Sequence, residues 1–163
     1  MGIRQMLERR RIRKELQRLV NPEVVAQLQT QFQVGHLETK HFQFVLILVD
    51  ETNTKETPAV ISRVVDTILE HGAILSNITS SLLVGLFGVP FPEGNSPEVR
   101  RGLVDALLRE NGDRIRIVHG ECDGAVGNLG NQKRWSYGAV IPRFSGVLKT
   151  LLETKFGTAV EVP

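Results

Sequence analysis

The sequence predicts an α+β domain built on a mostly antiparallel sheet with helices packed on it, and three observations carry that prediction. Apolar segments of strand length alternate with amphipathic segments of helix length. Their order is strand, helix, strand, strand, helix, strand, then strand, helix, strand, and its front part is the βαββαβ unit of ferredoxin-like folds. The third observation is size: 163 residues, 41% hydrophobic and 23% charged, suit one compact unit with a short extension.

Each element has a local reason. Residues 3–19 read as a helix, with Leu7, Ile12, Leu16, Leu19 and Val20 at an approximate three-to-four spacing. Asn21-Pro22-Glu23 marks a stop and a restart, because Asn caps, Pro fits the first helical position and Glu suits the first turn. A short helix runs from there through Leu28, and residues 30–41 are polar and read as a loop. Residues 42–49 are almost continuously apolar and rich in β-branched and aromatic side chains, which predicts a central strand with Asp50 at its end. Residues 58–70 read as a helix with Val60, Val64, Ile68 and Leu69 on one side, terminated by Gly72. Two strands follow, 73–79 and 82–87, joined by a tight Ser80-Ser81 turn and closed by Gly88-Val89-Pro90-Phe91-Pro92. A helix over 97–110 ends at Asn111-Gly112, and residues 114–119 form a strand. The Gly-rich stretch 120–130 then reads as the turn of a second hairpin. A strand over 137–141, a helix over 143–154 and a strand over 158–162 complete the chain.

Charge and composition exclude several functions. Seven basic residues against Glu8 and Glu15 give residues 1–19 a charge of +5, so the remainder of this +2 chain carries −3. The body is therefore not a basic nucleic-acid binder. The basic stretch reads as a solvated helix face; a cytoplasmic segment just below a membrane helix is the alternative, since such segments are rich in Lys and Arg. No apolar run approaches the ~20 residues that span a bilayer, and the charged N-terminus does not read as a signal peptide. The lone Cys122 forms no intrachain disulfide and fits a reducing compartment, so a cytoplasmic location is expected.

The residues that could carry chemistry each have a plainer reading. A single Asp50 is a poor divalent-ion site and reads first as a strand-end carboxylate accepting backbone hydrogen bonds. His119, Glu121, Cys122 and Asp123 are metal-ligand types, but on a strand Cys122 points away from the other three, and no second ligand cluster accompanies them. Gly124, Gly127 and Gly130 suggest a phosphate-cradling loop, yet no helix follows promptly, so a hairpin turn is the better reading. His36 and His41 flank the polar loop and read as solvated. No Gly-x-Ser-x-Gly elbow supports a hydrolase. Trp135 beside Arg134 reads as an interface or core anchor.

Three stretches in order carry a family resemblance. They are Val20-Asn21-Pro22-Glu23-Val24-Val25; His71-Gly72-Ala73-Ile74-Leu75 with Leu86-Phe87-Gly88-Val89-Pro90; and Gly127-Asn128-Leu129-Gly130 with Arg134 and Tyr137. Over residues 20–163 the chain resembles the catalytic domains of class III adenylate and guanylate cyclases. The resemblance implies a nucleotide cyclase fold over residues 21–163, preceded by a basic coupling helix at residues 1–20. It also implies a head-to-tail homodimer, with residues near 127–137 reaching the partner, and a sensor or membrane module upstream. In that family two carboxylates hold two metal ions, Mg or Mn, that activate a ribose 3′-hydroxyl against the α-phosphate. An Asn and an Arg from the partner chain stabilise developing charge, and a Lys with an Asp or Thr reads the base.

Carried over residue by residue, the resemblance breaks at most of these positions. Asp50 keeps the first metal position, but Glu51-Thr52-Asn53-Thr54 replaces the Gly-Phe turn that wraps the phosphates. The second metal position is Ser81, and no Asp lies anywhere from Thr67 to Val104. The base-reading positions are Asn77 and Gly138. The transition-state positions are Ser145 and Lys149, and no Asn follows Asn131. Losing one oxyanion-type donor costs about 10²–10³ in rate, and lysine keeps the charge of arginine without its planar fork. Three functions follow as alternatives. The first is a catalytically inactive dimerisation and regulatory module in intracellular signalling, needing no cofactor. The second is an active cyclase making cyclic AMP or cyclic GMP with Mg or Mn. The third is a nucleotide or small-ligand binder without turnover, in which Asp50, Arg143 and Lys149 line the pocket.

Overall fold

A computed structural model describes residues 37–79, 81–128 and 137–163. The helices expected at 3–19 and 21–28, together with His36, Arg134 and Trp135, lie outside the described residues. The chain runs β1 (Leu37–Val49), α1 (Thr57–Glu70), β2 (Ile74–Thr79), β3 (Leu82–Phe87), α2 (Pro97–Asn111), a 3₁₀ turn (Gly112–Arg114), β4 (Ile115–Asn128), β5 (Tyr137–Val140), α3 (Phe144–Glu153) and β6 (Ala159–Glu161). The sheet order is β2-β3-β1-β4-β5, with β6 also beside β4. All pairings are antiparallel except β4 with β6. The predicted α+β architecture is the one observed.

β1 is central because both of its faces are apolar. Val45, Ile47 and Val49 pack with Val60, Val64, Ile68, Leu103, Val104 and Leu107 of α1 and α2. Phe42, Phe44 and Leu46 pack on the other face with Leu151 of α3, against which Val147 and Leu148 also rest. Burying a large apolar side chain is worth about 1.5–3 kcal/mol, so this strand anchors two cores at once. The third helix therefore covers the face opposite the first two. The apolar pattern of a helix reports that it packs, not on which side of a sheet.

Other boundaries differ for identifiable reasons. β1 begins at Leu37, inside the stretch expected to be a loop, because residues 37–41 pair with 123–127 of β4. Backbone pairing tolerates polar side chains that stay largely exposed there. His41 thus sits on a strand. Leu69 is 36% exposed, and Thr67 is buried in its place alongside Val60, Val64 and Ile68, its hydroxyl donating to the Arg63 carbonyl at 3.0 Å. Gly72 does end α1, with φ +81°.

The largest correction concerns the Gly-rich stretch. The second hairpin expected there is present, since β4 pairs antiparallel with β5. Residues 120–128, Gly124 and Gly127 among them, are however the second half of a 14-residue strand and not its turn. A Cβ on Gly124 would lie 2.3 Å from the Val140 carbonyl oxygen, and one on Gly120 2.8 Å from that of Val162. These glycines permit close backbone approach within a sheet. Any turn between β4 and β5 falls in residues outside the description.

Candidate functional site at the ends of β1 and the β2–β3 hairpin

Asp50 leaves β1 with its backbone tied on both sides. Its N–H donates to the Arg114 carbonyl at 2.8 Å, and its own carbonyl accepts from the Thr57 hydroxyl at 3.1 Å. The carboxylate accepts the Thr52 N–H at 2.9 Å. That bond, ahead of the charges of Arg114 and Arg116, holds its pKa below the ordinary value. The strand-end geometry is the one the plainer reading anticipated.

Ser81 is brought to the same place. It is buried at the start of β3, and its carbonyl accepts the Val49 N–H at 2.9 Å. The two predicted metal positions are therefore adjacent, and one of them is a hydroxyl. A pair of divalent ions does not fit this set. Of the two predicted positions only Asp50 is a carboxylate, and the charges acting on it are the guanidinium groups of Arg114 and Arg116. Among the described residues, no group of three or more His, Cys, Asp or Glu is placed to hold a metal ion.

The remaining predicted positions lie elsewhere on the fold. Asn77 sits on β2 opposite Val84, just after a register shift. Gly138 is buried on β5 opposite Gly127. β2 and β5 stand at opposite ends of the sheet order, yet they approach each other. The sheet's curl thus brings together the strands that bear the two predicted base-reading positions. Ser145 and Lys149 are exposed, one turn apart on α3, and Arg143 precedes them in the left-handed conformation with φ +57°.

Two groups of residues escaped the sequence reading. Arg114 and Arg116 flank Asp50. Arg114 pairs with Glu56, while its Nε and one terminal nitrogen are buried with no hydrogen-bond partner. Arg116 lies 4.5 Å over the Phe156 ring and donates to the carbonyls of Leu152 and Thr154 at 2.9 and 3.2 Å. The alternation Arg114-Ile115-Arg116-Ile117 was the available signal. The second group surrounds Arg100, a buried cation on α2 that meets Gln43, His119 and Glu161.

That group also disposes of the metal-ligand candidates on β4. His119 Nδ1 accepts a hydrogen bond from Arg100 rather than facing a metal cluster. Glu121 and Asp123 flank the exposed His41 ring at 3.2 and 3.3 Å. Cys122 points to the other face, as the strand period requires, where burial pushes its thiol up to about 11.

The fold has clear counterparts among solved structures. The guanylyl cyclase Cya2 is 18% identical with a TM-score of 0.64, the match covering 79% of this chain and 77% of that one. The adenylyl cyclase CyaB from P. aeruginosa is 12% identical with a TM-score of 0.59, covering 77% and 78%. The guanylate cyclase domain of RhGC from Catenaria anguillulae, solved with GTP, is 13% identical with a TM-score of 0.62, covering 78% and 80%. No protein-family model matches the sequence, and no curated protein matches it. The chain has the fold of adenylyl and guanylyl cyclase catalytic domains, and in that structural sense it is a cyclase-like domain. Among the described residues, no helix is long and apolar enough to cross a membrane.

Proposed function

We propose that this chain is a cyclase-fold dimerisation and regulatory module that does not turn over nucleotide. One observation carries the reading. The Val49 N–H donates to the Ser81 carbonyl at 2.9 Å, so the hairpin is pinned beside Asp50 at a residue that carries a hydroxyl and no charge. Cyclisation by two metals needs one ion to activate the 3′-hydroxyl and another to neutralise the triphosphate. A neutral hydroxyl does not replace the charge of a carboxylate. Ser145 and Lys149 support the same reading, because serine is short and lysine lacks a bidentate fork. In this reading two copies pair, and the basic segment at residues 1–20 couples the pair to an upstream sensor or membrane module in the cytoplasm.

The test is direct. The protein is incubated with ATP or GTP and Mg²⁺ or Mn²⁺, and cyclic AMP and cyclic GMP are sought by mass spectrometry. No product above the protein-free control is expected. Robust product that disappears in Asp50→Ala would overturn the reading and establish an active cyclase. Ser81→Asp alone is expected to remain inactive. The combined variant Asn77→Lys, Ser81→Asp, Gly138→Asp, Ser145→Asn and Lys149→Arg measures how much of the lost chemistry resides in these five positions.

A further inference from the structure

Away from that site, one buried arginine ties three strands to a helix. Arg100 is 2% exposed in the first turns of α2. Its Nε donates to His119 Nδ1 on β4 at 3.0 Å. Its terminal nitrogens bind Gln43 Oε1 on β1 and the Glu161 carboxylate on β6. Gln43 continues the network through Nε2 to Asn95 Oδ1 and Glu121 Oε2, each at 3.1 Å. A guanidinium has only donors and stays charged at every accessible pH. The contact therefore defines the imidazole: Nδ1 carries a lone pair, Nε2 carries the hydrogen, and the ring is neutral.

We propose that His119 and Arg100 form an acid-sensitive latch, which holds β6 against β4 and α2 while the ring is neutral and releases it when the ring gains a proton. Protonation removes the acceptor at Nδ1 and sets two cations 3.0 Å apart in a buried site. The imidazolium also competes with Arg100 for Glu161, the carboxylate that joins α2 to β6. The charges acting on the ring are Arg100, Glu161, Arg101 and Asp105, and Glu121 acts on Arg100. β1 contributes the apolar Val45 opposite His119 and the neutral Gln43. Burial first, then Arg100, hold His119 below its ordinary pKa. β6 is short, and apart from the latch it is held by its ladder with β4, by the Val162 N–H on the His119 carbonyl at 2.9 Å and by the Ile117 N–H on the Thr158 carbonyl at 3.2 Å. The exposed Arg101 also donates to Glu161, at 2.7 and 3.1 Å.

Amide hydrogen exchange of Val160, Glu161 and Val162, corrected for intrinsic rates, reads the latch at pH 7.5 and pH 5.0. Opening exposes a ring with an ordinary pKa of about 6.5, so linkage allows the opening equilibrium to rise by at most about 30-fold over that interval. A rise of about ten- to thirtyfold at β6, with Val45 and Ile47 of β1 unchanged, is expected. His119→Asn keeps an acceptor for Arg100 but does not titrate, and it should reduce the change to under about twofold. No rise in the native protein, an equal rise at β1, or an equal rise in His119→Asn would each overturn the latch. A measurement independent of any variant is the ¹⁵N spectrum of the His119 ring. Nδ1 is expected to be unprotonated at pH 7.5, and an Nδ1–H tautomer would overturn the proposal.

Discussion

Asp50 and Arg100 are held in opposite ways, and the consequences differ. Asp50 is capped locally by the Thr52 N–H at 2.9 Å, which lowers its pKa in the folded chain. Its contribution to stability is then complete above the unfolded value of about 3.9 and is lost as pH falls through the lower folded value. Asp50→Asn is expected to lower urea-unfolding stability across the neutral range, where the carboxylate's contribution is complete, and to flatten the acid limb below about pH 4. Arg100 is held by acceptors on three strands. Arg100→Ala leaves Gln43 Oε1 and His119 Nδ1 buried without their donor. Each orphaned group costs about 1–3 kcal/mol, so a loss of about 3 kcal/mol in urea unfolding is expected. Arg100→Lys should recover only part of it, since an ammonium cannot span three acceptors in one plane.

At the scale of elements, β4 is the strand on which the sheet depends. It pairs with β1 along its length, with β6 at its start and with β5 at its end. Three backbones meet it closely, and its glycines provide the room. Gly124→Ala would put a methyl 2.3 Å from the Val140 carbonyl oxygen. Backbone cannot yield as a flexible side chain can, so a loss of about 1–3 kcal/mol is expected. Gly102→Ala is the control, because its Cβ meets nothing within 4 Å on α2. It is expected to gain about 0.5–1 kcal/mol from helix propensity and a less flexible unfolded chain. Thermal melts should therefore shift in opposite directions. A neutral result for Gly124→Ala would mean that β5 is less firmly seated than its pairing indicates.

At the scale of the molecule, the sheet separates two apolar cores among the described residues. The fold is shared with adenylyl and guanylyl cyclase domains at TM-scores of 0.59 to 0.64 despite identities of 12 to 18%. Fold at such identity says nothing of turnover, because activity rests on a few side chains and the fold on many. The proposed pairing of two copies belongs to this scale. Sedimentation velocity over a range of concentrations is expected to show a reversible two-fold assembly. A monomer persisting at high micromolar concentration would count against pairing through this domain.

What the sequence determined by itself was local. Residues 42–49 announced β1 because a continuous apolar run needs two covered faces. Periodicity announced α1 and α2 because a helix shows one face to a core. Residue identity announced that Ser81, the predicted second metal position, carries no carboxylate, since no fold gives serine a charge. The tertiary structure decided what depends on partners distant along the chain. Residues 37–41 became strand because β4 supplied their hydrogen bonds. Gly120 and Gly124 proved to be sites of close approach because Val162 and Val140 come back over them. Arg100 became a buried hub because its acceptors, 57, 19 and 61 positions away, converge only after folding. A local pattern reports the backbone state and the chemistry of a side chain; which groups meet is set by packing, and only the folded chain expresses it.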